Sequence, residues 1–238
     1  MMHPPCGDDI IAHARECYPA ECCGLLVMVG PEVEYFRCRN MSLGKDTFII
    51  NPEDYLLAES SGEILAVVHS HPDAVATPSQ ADMVACEASG LPWHIVGINQ
   101  EHAPTWASIA PSGYQAPLIG RVFHHGILDC YSIIRDWYRI ERRILLPDFV
   151  RTTDWWHKGE NLYLENFEKA GFGALPEGAS LEIGDVPLMQ VLANVPNHAG
   201  VYVGDNFILH HLFNRLSCRE PYLGYYRKHT ISILRYNR

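Results

Sequence analysis

The sequence predicts two domains, a mixed α/β domain followed by an α+β domain, and three observations lead there. Its 238 residues exceed a typical small domain and suit two of about 110 to 120 residues. The net charge of -10 divides into -11 over residues 1–112 and +1 over residues 113–238, so the halves present different surfaces. Helical and strand patterns alternate through the first half, whereas in the second the helices come first and the strands follow.

Asp8 and Asp9 precede the run 10–17 and read as the cap of a short helix that Pro19 stops. Residues 24–29, 33–39 and 47–50 read as strands, with Gly30-Pro31 as the turn between the first two. Pro52-Glu53-Asp54 opens a second helix, reaching about residue 60, because proline is tolerated at the first helical position. The apolar, partly β-branched run 64–69 is a buried strand, 79–88 a helix ended by Gly90, and 93–98 and 106–109 are two further strands. Residues 110–120 hold two prolines, two glycines and no charge, which suits a linker of limited flexibility, placed at 113–119. Beyond it, 129–143 reads as a long helix with Ile133, Ile134, Trp137, Ile140 and Ile144 at helical spacing, and 161–170 as a second closed by Gly171. Strands follow at 186–192, 199–203, 207–213 and 230–236.

Apolar residues make up 47% of the chain and charged residues 19%, enough to bury real cores. The longest apolar runs, 25–29 and 64–68, fall far short of the roughly 18 to 20 residues that cross a bilayer. The N-terminus lacks a basic segment followed by an apolar one, so neither a membrane span nor a signal peptide is expected. An acidic first half and a near-neutral second half without a basic stripe argue against nucleic acid as a partner. The eight cysteines form no C-x-x-C pair and read as reduced thiols. Histidine stands out instead, thirteen in all.

His69-Ser70-His71 sits at a strand end, where residues i and i+2 point to one face and two imidazoles converge. Asp82 lies at the first turn of the next helix, within reach of that strand end. Two histidines and a carboxylate leave a fourth tetrahedral position for water, the open arrangement of a catalytic zinc. A separate carboxylate is then needed to carry the proton. Ser79-Gln80-Ala81-Asp82 equally has the form of an S-x-x-D capping box.

Joined at this spacing, the set resembles the H-x-H-x7-S-x-x-D signature of the JAMM (MPN) metallopeptidases, over about residues 5–110. The segment 19–26, Pro-Ala-Glu-Cys-Cys-Gly-Leu-Leu, looks like that family's lead-in to its first core strand. The resemblance implies a JAMM-like mixed sheet with flanking helices. It also implies one zinc held by His69, His71 and Asp82, Glu21 as general base and then acid, and Ser79 as a donor to the oxyanion. The implied reaction is hydrolysis of an amide, often an isopeptide.

Asp129-Cys130 lies at a helix start, where the helix dipole and free N–H groups favour a thiolate. His198 heads a strand, and a hairpin centred on Gly204 sets it directly opposite His210 on the same face. Singly, these are an ordinary thiol and an ordinary cross-strand pair. Together they form a triad pattern of nucleophile, base and orienter. They resemble the NlpC-type cysteine peptidases of bacterial cell-wall metabolism, from about Gly120 to Arg238. The implied fold is papain-like, with helices packed on an antiparallel sheet. The usual D-C-S-G is here Asp129-Cys130-Tyr131-Ser132. His211 faces away from His210 and reads as structural, while Trp155-Trp156 is open between a sugar-stacking role and a core or loop role.

A JAMM domain followed by an NlpC-type domain resembles the tail assembly protein K family of lambda-like phages and their prophages. That resemblance implies a tail-tip assembly protein that processes a tail partner and cuts the peptide stems of peptidoglycan at the γ-D-glutamyl to diaminopimelate bond. Tail-tip proteins and peptidoglycan peptides are the implied partners. The implied places are the host cytoplasm during assembly and the tail tip of the virion. The competing reading is a tail-tip scaffold in which one or both sites serve as binding surfaces.

Overall fold

The computed structural model describes residues 4–99 and 101–237, and the chain falls into two compact units, Met1–Gln115 and Ala116–Arg238. The first contains helices α1 (Gly7–Cys17), α2 (Pro52–Ser61) and α3 (Gln80–Ser89). Its strands are β1 (Cys23–Val29), β2 (Glu32–Cys38), β3 (Glu63–Pro72), β4 (Trp93–Ile98) and β5 (Thr105–Ile109). They form one sheet in the order β2-β1-β3-β4-β5. Only β3 and β4 are parallel, because α3 crosses between them; the other neighbours are antiparallel.

The period of two along β1 and β3 feeds two cores. Cys22, Leu26, Ala66 and Val68 pack with Ile10 and Ala14 of α1. Leu25, Val27 and Val67 pack with Ala58 of α2 and Cys86 of α3. His69 and His71 continue the Val67 face of β3, and Ser70 continues the opposite one.

Two expectations for this unit are corrected. Asp8 and Asp9 do not cap α1; they lie inside its first turn, where carboxylates complement the helix dipole, while the cap position belongs to Cys6. Residues 47–50 are not a strand but a loop with a single bridge, Asn40 to Ile50. The Asn40 side chain bonds the Thr47 carbonyl and the Ile49 N–H, each at 3.0 Å, and so replaces the ladder a strand would need.

The second unit contains α4 (Cys130–Trp137), α5 (Leu162–Asn166) and α6 (Gly224–His229). Its strands are β6 (Phe172–Ala174), β7 (Val186–Met189), β8 (His198–Tyr202), β9 (Phe207–His210), β10 (Cys218–Pro221) and β11 (Thr230–Tyr236). They form an antiparallel sheet in the order β10-β9-β8-β7-β11-β6. α4 lays Ile133, Ile134 and Trp137 onto Leu188, Ala199, Val201 and Leu209 of that sheet. No helix among the described residues is long and apolar enough to cross a membrane.

The expected helix 129–143 is α-helical only to Trp137 and then widens to a π-turn, Tyr138–Arg142. The wider turn lets Tyr138 and Arg142 both reach the 183–184 carbonyls, at 2.7 and 2.6 Å. The expected helix 161–170 is regular only over α5, with looser hydrogen-bonded turns carrying it to Gly171. The strands expected at 186–192 and 207–213 end sooner, at Met189 and His210.

Candidate active sites

The lead-in to β1 is tied to β3. The Cys22 N–H donates to Ser70 Oγ at 2.8 Å, and the Ser70 N–H returns a bond to the Cys22 carbonyl at 3.2 Å. The Asn40 side chain and the Lys45 carbonyl hold the Glu21 backbone, at 3.0 and 3.1 Å. These bonds fix Glu21, 6% exposed, beside the histidine face of β3. Burial raises its carboxyl to about 8, against the influence of His71 nearby.

His69 is fully buried, stacked on Phe48 at 4.8 Å and edge-on to Trp93 at 5.4 Å. Its Nε2 lies 3.1 Å from His71 Nε2 and 3.2 Å from Asp82 Oδ1, and His71 Nε2 lies 3.4 Å from Asp82 Oδ2. Burial holds the His69 imidazole below its ordinary value. Burial also opposes charge on His71, but the Asp82 carboxylate outweighs it and raises the imidazole. The two histidines in turn hold Asp82 well below the usual carboxylate range despite its burial.

Three donors this close are what a tetrahedral ion requires. With metal–ligand distances near 2.0–2.1 Å, tetrahedral ligand atoms stand about 3.3 Å apart. The two imidazole nitrogens stand close to that spacing, and with one Asp82 oxygen all three donor atoms lie within 4.8 Å of one another; the nitrogen, nitrogen and oxygen set suits zinc. Ser79 and Asp82 also make a complete capping box: the Asp82 N–H donates to Ser79 Oγ at 3.0 Å, and the Ser79 N–H to Asp82 Oδ2 at 2.7 Å. The capping and ligand readings are therefore compatible, since the cap fixes the carboxylate that turns toward the histidines.

In the second unit, Asp129 is the N-cap of α4 and is 2% exposed. Its carboxylate accepts from the N–H groups of Gly126, Tyr131 and Ser132 and from Arg151 Nε at 2.7 Å. Ser132 completes the capping box, and Tyr131 is buried with its hydroxyl on the Pro147 carbonyl. The departure from D-C-S-G therefore serves the helix start and the core. Cys130 lies at the first position of α4 with Sγ 3.2 Å from Tyr163 Oη.

Cys130 and His198 line one cleft of about 310 Å³, together with Trp156, Tyr163, Asn197 and Phe213. Trp155 also borders it but is 3% exposed. His198 Nε2 is 3.0 Å from His210 Nδ1, although the two are not directly opposite as the sequence suggested. His210 pairs with Gly200, because Asp205 and Asn206 take left-handed conformations with Gly204 and centre the turn on Asp205. The contact is diagonal across the ladder. A Cβ at Gly200 would stand 2.9 Å from His210 Cβ, so the glycine makes room for it.

The family model for prokaryotic homologs of the JAB domain matches residues 3–109, and that of the NlpC/P60 family matches residues 120–235. Tail tip assembly protein K of Escherichia phage N15 is 40% identical over 232 residues, covering 96% of this chain and 93% of that protein. The chain belongs to the tail tip assembly protein K family. The protein of the same name from Escherichia phage lambda is 42% identical over 187 residues, covering 79% of this chain and 89% of that protein.

Several residues that complete these sites in this K-family chain escaped sequence reasoning. Ser70, Phe48 and Trp93 set Glu21 and His69 through contacts that no spacing rule carries. Tyr163 meets Cys130, and Glu220 Oε2 lies 3.1 Å from His210 Nε2, so a carboxylate stands behind the second histidine. One expectation is corrected. Cys130 keeps part of its surface open to the cleft, yet burial and the Asp129 charge push the thiol up to about 11. Burial pulls His198 down to about 3. Desolvation outweighs the helix dipole, and the pair rests as thiol and imidazole. Alkylation of Cys130, followed by peptide mapping, is expected to keep accelerating above pH 9. A plateau below pH 7 would instead mark a resting thiolate.

Proposed function

We propose that this chain is a two-site hydrolase of phage tail-tip assembly. Residues 1–112 act as a JAMM metallopeptidase domain, 113–119 as a linker and 120–238 as an NlpC-type cysteine peptidase domain. The observation that carries the reading is the convergence, in separate units, of His69, His71 and Asp82 within 4.8 Å and of Cys130 with His198 in one cleft.

In the first site His69, His71 and Asp82 would hold one zinc, which would supply a Lewis acid able to lower the pKa of water to near 7. Glu21 takes the proton of the attacking water and gives it to the leaving amine. Burial pushes the Glu21 carboxyl up and the charge of a bound ion would pull it down, and that opposition suits a group that must both take and return a proton. The Ser79 Oγ accepts from Asp82, so its own O–H is available to the oxyanion. The substrate is an amide or isopeptide bond of a tail partner.

In the second site Cys130 Sγ attacks the carbonyl of a peptidoglycan stem peptide while its proton passes to His198, which returns it to the leaving amine. Water then hydrolyses the thioester, with His198 again as base. Glu220 is ionised, since Tyr226 and Arg215 outweigh its partial burial. A carboxylate only accepts, so the proton of His210 sits on Nε2. His210 Nδ1 then accepts from His198 Nε2 and leaves the other His198 nitrogen free for Cys130. Trp156 on the cleft wall offers a face to the substrate. The chain works in the host cytoplasm during assembly and at the tail tip of the virion.

Metal analysis tests the first half of this reading. After dialysis the purified chain is expected to hold one zinc, lost in His71→Ala and kept in Cys130→Ala. Protein prepared without chelator that carries no transition metal would remove the metallopeptidase assignment.

A further inference from the structure

We propose that His210, Cys218 and Glu220 form a second cation site, for a thiophilic divalent ion such as Zn²⁺, and that filling it switches the thiol site off. The ladder sets Cys218 of β10 directly opposite His210 of β9, and Glu220, two residues on, shares their face. Cys218 Sγ lies 4.0 Å from His210 Nε2, Glu220 Oε2 lies 3.1 Å from it, and the three donor atoms fall within 4.8 Å of one another. Tetrahedral zinc sets nitrogen and sulfur about 3.6 Å apart and nitrogen and oxygen about 3.3 Å, so small side-chain rotations suffice.

The donors are one nitrogen, one sulfur and one oxygen, a set that rejects magnesium and calcium. Arg215 occupies Glu220 Oε1 at 2.7 Å and leaves Oε2 facing the cluster, where the Tyr226 hydroxyl also reaches it. β10 is the edge strand of its sheet and Cys218 is half-buried, which gives an ion a route from solvent. The same exposure, with the Arg215 cation alongside, makes this site weaker than the buried cluster of the first unit. Its ion leaves on dialysis.

Without an ion, Glu220 keeps the His210 proton on Nε2. An ion takes the Nε2 lone pair, so that proton moves to Nδ1, and His210 now donates to His198 Nε2. The His198 proton must then sit on Nδ1, and no lone pair remains for the Cys130 proton. The two rings still hold two protons between them; the only proton released is that of the Cys218 thiol, to solvent. This consequence rests on the cysteine-peptidase reading, whereas the binding does not.

Cobalt(II) titration of full-length His71→Ala tests the site, because the first cluster contains no sulfur. The expected result is a thiolate-to-cobalt charge-transfer band in the near ultraviolet that disappears when Cys218→Ser is added and weakens with Glu220→Gln. No band, or a band that survives Cys218→Ser, overturns the site. The switch is read separately, as muropeptide release with added Zn²⁺ divided by release without it. Losing the general base costs about 10²-fold or more, so the ratio should fall by that much in the wild-type chain and stay near one in Cys218→Ser. Equal ratios in the two chains overturn the switch. Absence of release from either chain without metal faults the peptidase reading and leaves the cobalt result to decide the site.

Discussion

A full-length chain carrying Cys130→Ala releases shortened muropeptides from purified peptidoglycan at least about 10⁴-fold more slowly than the wild type. The alanine removes the attacking sulfur and with it the covalent route, and nothing else in the cleft offers a nucleophile at the start of α4. His198→Ala should be nearly as severe. The thiol is held up to about 11 by burial, so at neutral pH it depends on a base during attack rather than on a standing thiolate. The two losses should not add, because nucleophile and base act as one unit. Chromatography of the soluble muropeptides measures both, and residual release above one-tenth of the wild-type rate in Cys130→Ala would sink the assignment.

The largest expected effect on stability is at Asp129. Asp129→Asn puts an amide where the carboxylate now accepts from Arg151 and from three backbone N–H groups. A donor would then face the Gly126 N–H and the buried guanidinium. Asp148 continues to pair with Arg151, so the cost falls at the low end for a broken buried pair, about 3 kcal/mol. Hydrogen exchange should show α4 and β8 amides opening about 10²-fold faster while peptides of β1 and β3 are unchanged. Arg151 holds the Asp129 carboxyl below its ordinary value despite its burial. Its stabilisation is therefore fully present above the unfolded value of about 3.9 and is lost as pH falls through the lower folded value. The gap between wild type and variant should be constant from about pH 5 upward and close in acid. A gap that widens on acidification contradicts the pairing.

Much of both sites was legible because it is local. H-x-H at a strand end fixes two imidazoles on one face by the strand period alone, and Asp82 three residues after an N-cap serine fixes a carboxylate at a helix start. Asp129-Cys130 is legible for the same reason. What was missed depends on pairing. β10 is four residues, Cys-Arg-Glu-Pro, with a proline and two charges, a poor strand by pattern, so Cys218 and Glu220 could not be placed against His210. The hairpin register moved because Asp205 and Asn206 adopt left-handed conformations that a turn centred on Gly204 did not anticipate. Phe48 reaches His69 from a segment that alternates like a strand but is held by the Asn40 side chain. The resting state of Cys130 was misjudged because a helix start is visible in sequence and desolvation is not.

Two chemistries in one chain make a direct demand on one assay, muropeptide release by the full-length wild-type protein with and without a metal chelator. Cys130, His198 and His210 need no ion, and an ion at Cys218 and Glu220 would only inhibit. Release in chelator should therefore equal or exceed release without it. If chelator stops release, the wall-cutting site is the His69, His71 and Asp82 cluster, and the substrates have been assigned to the wrong units.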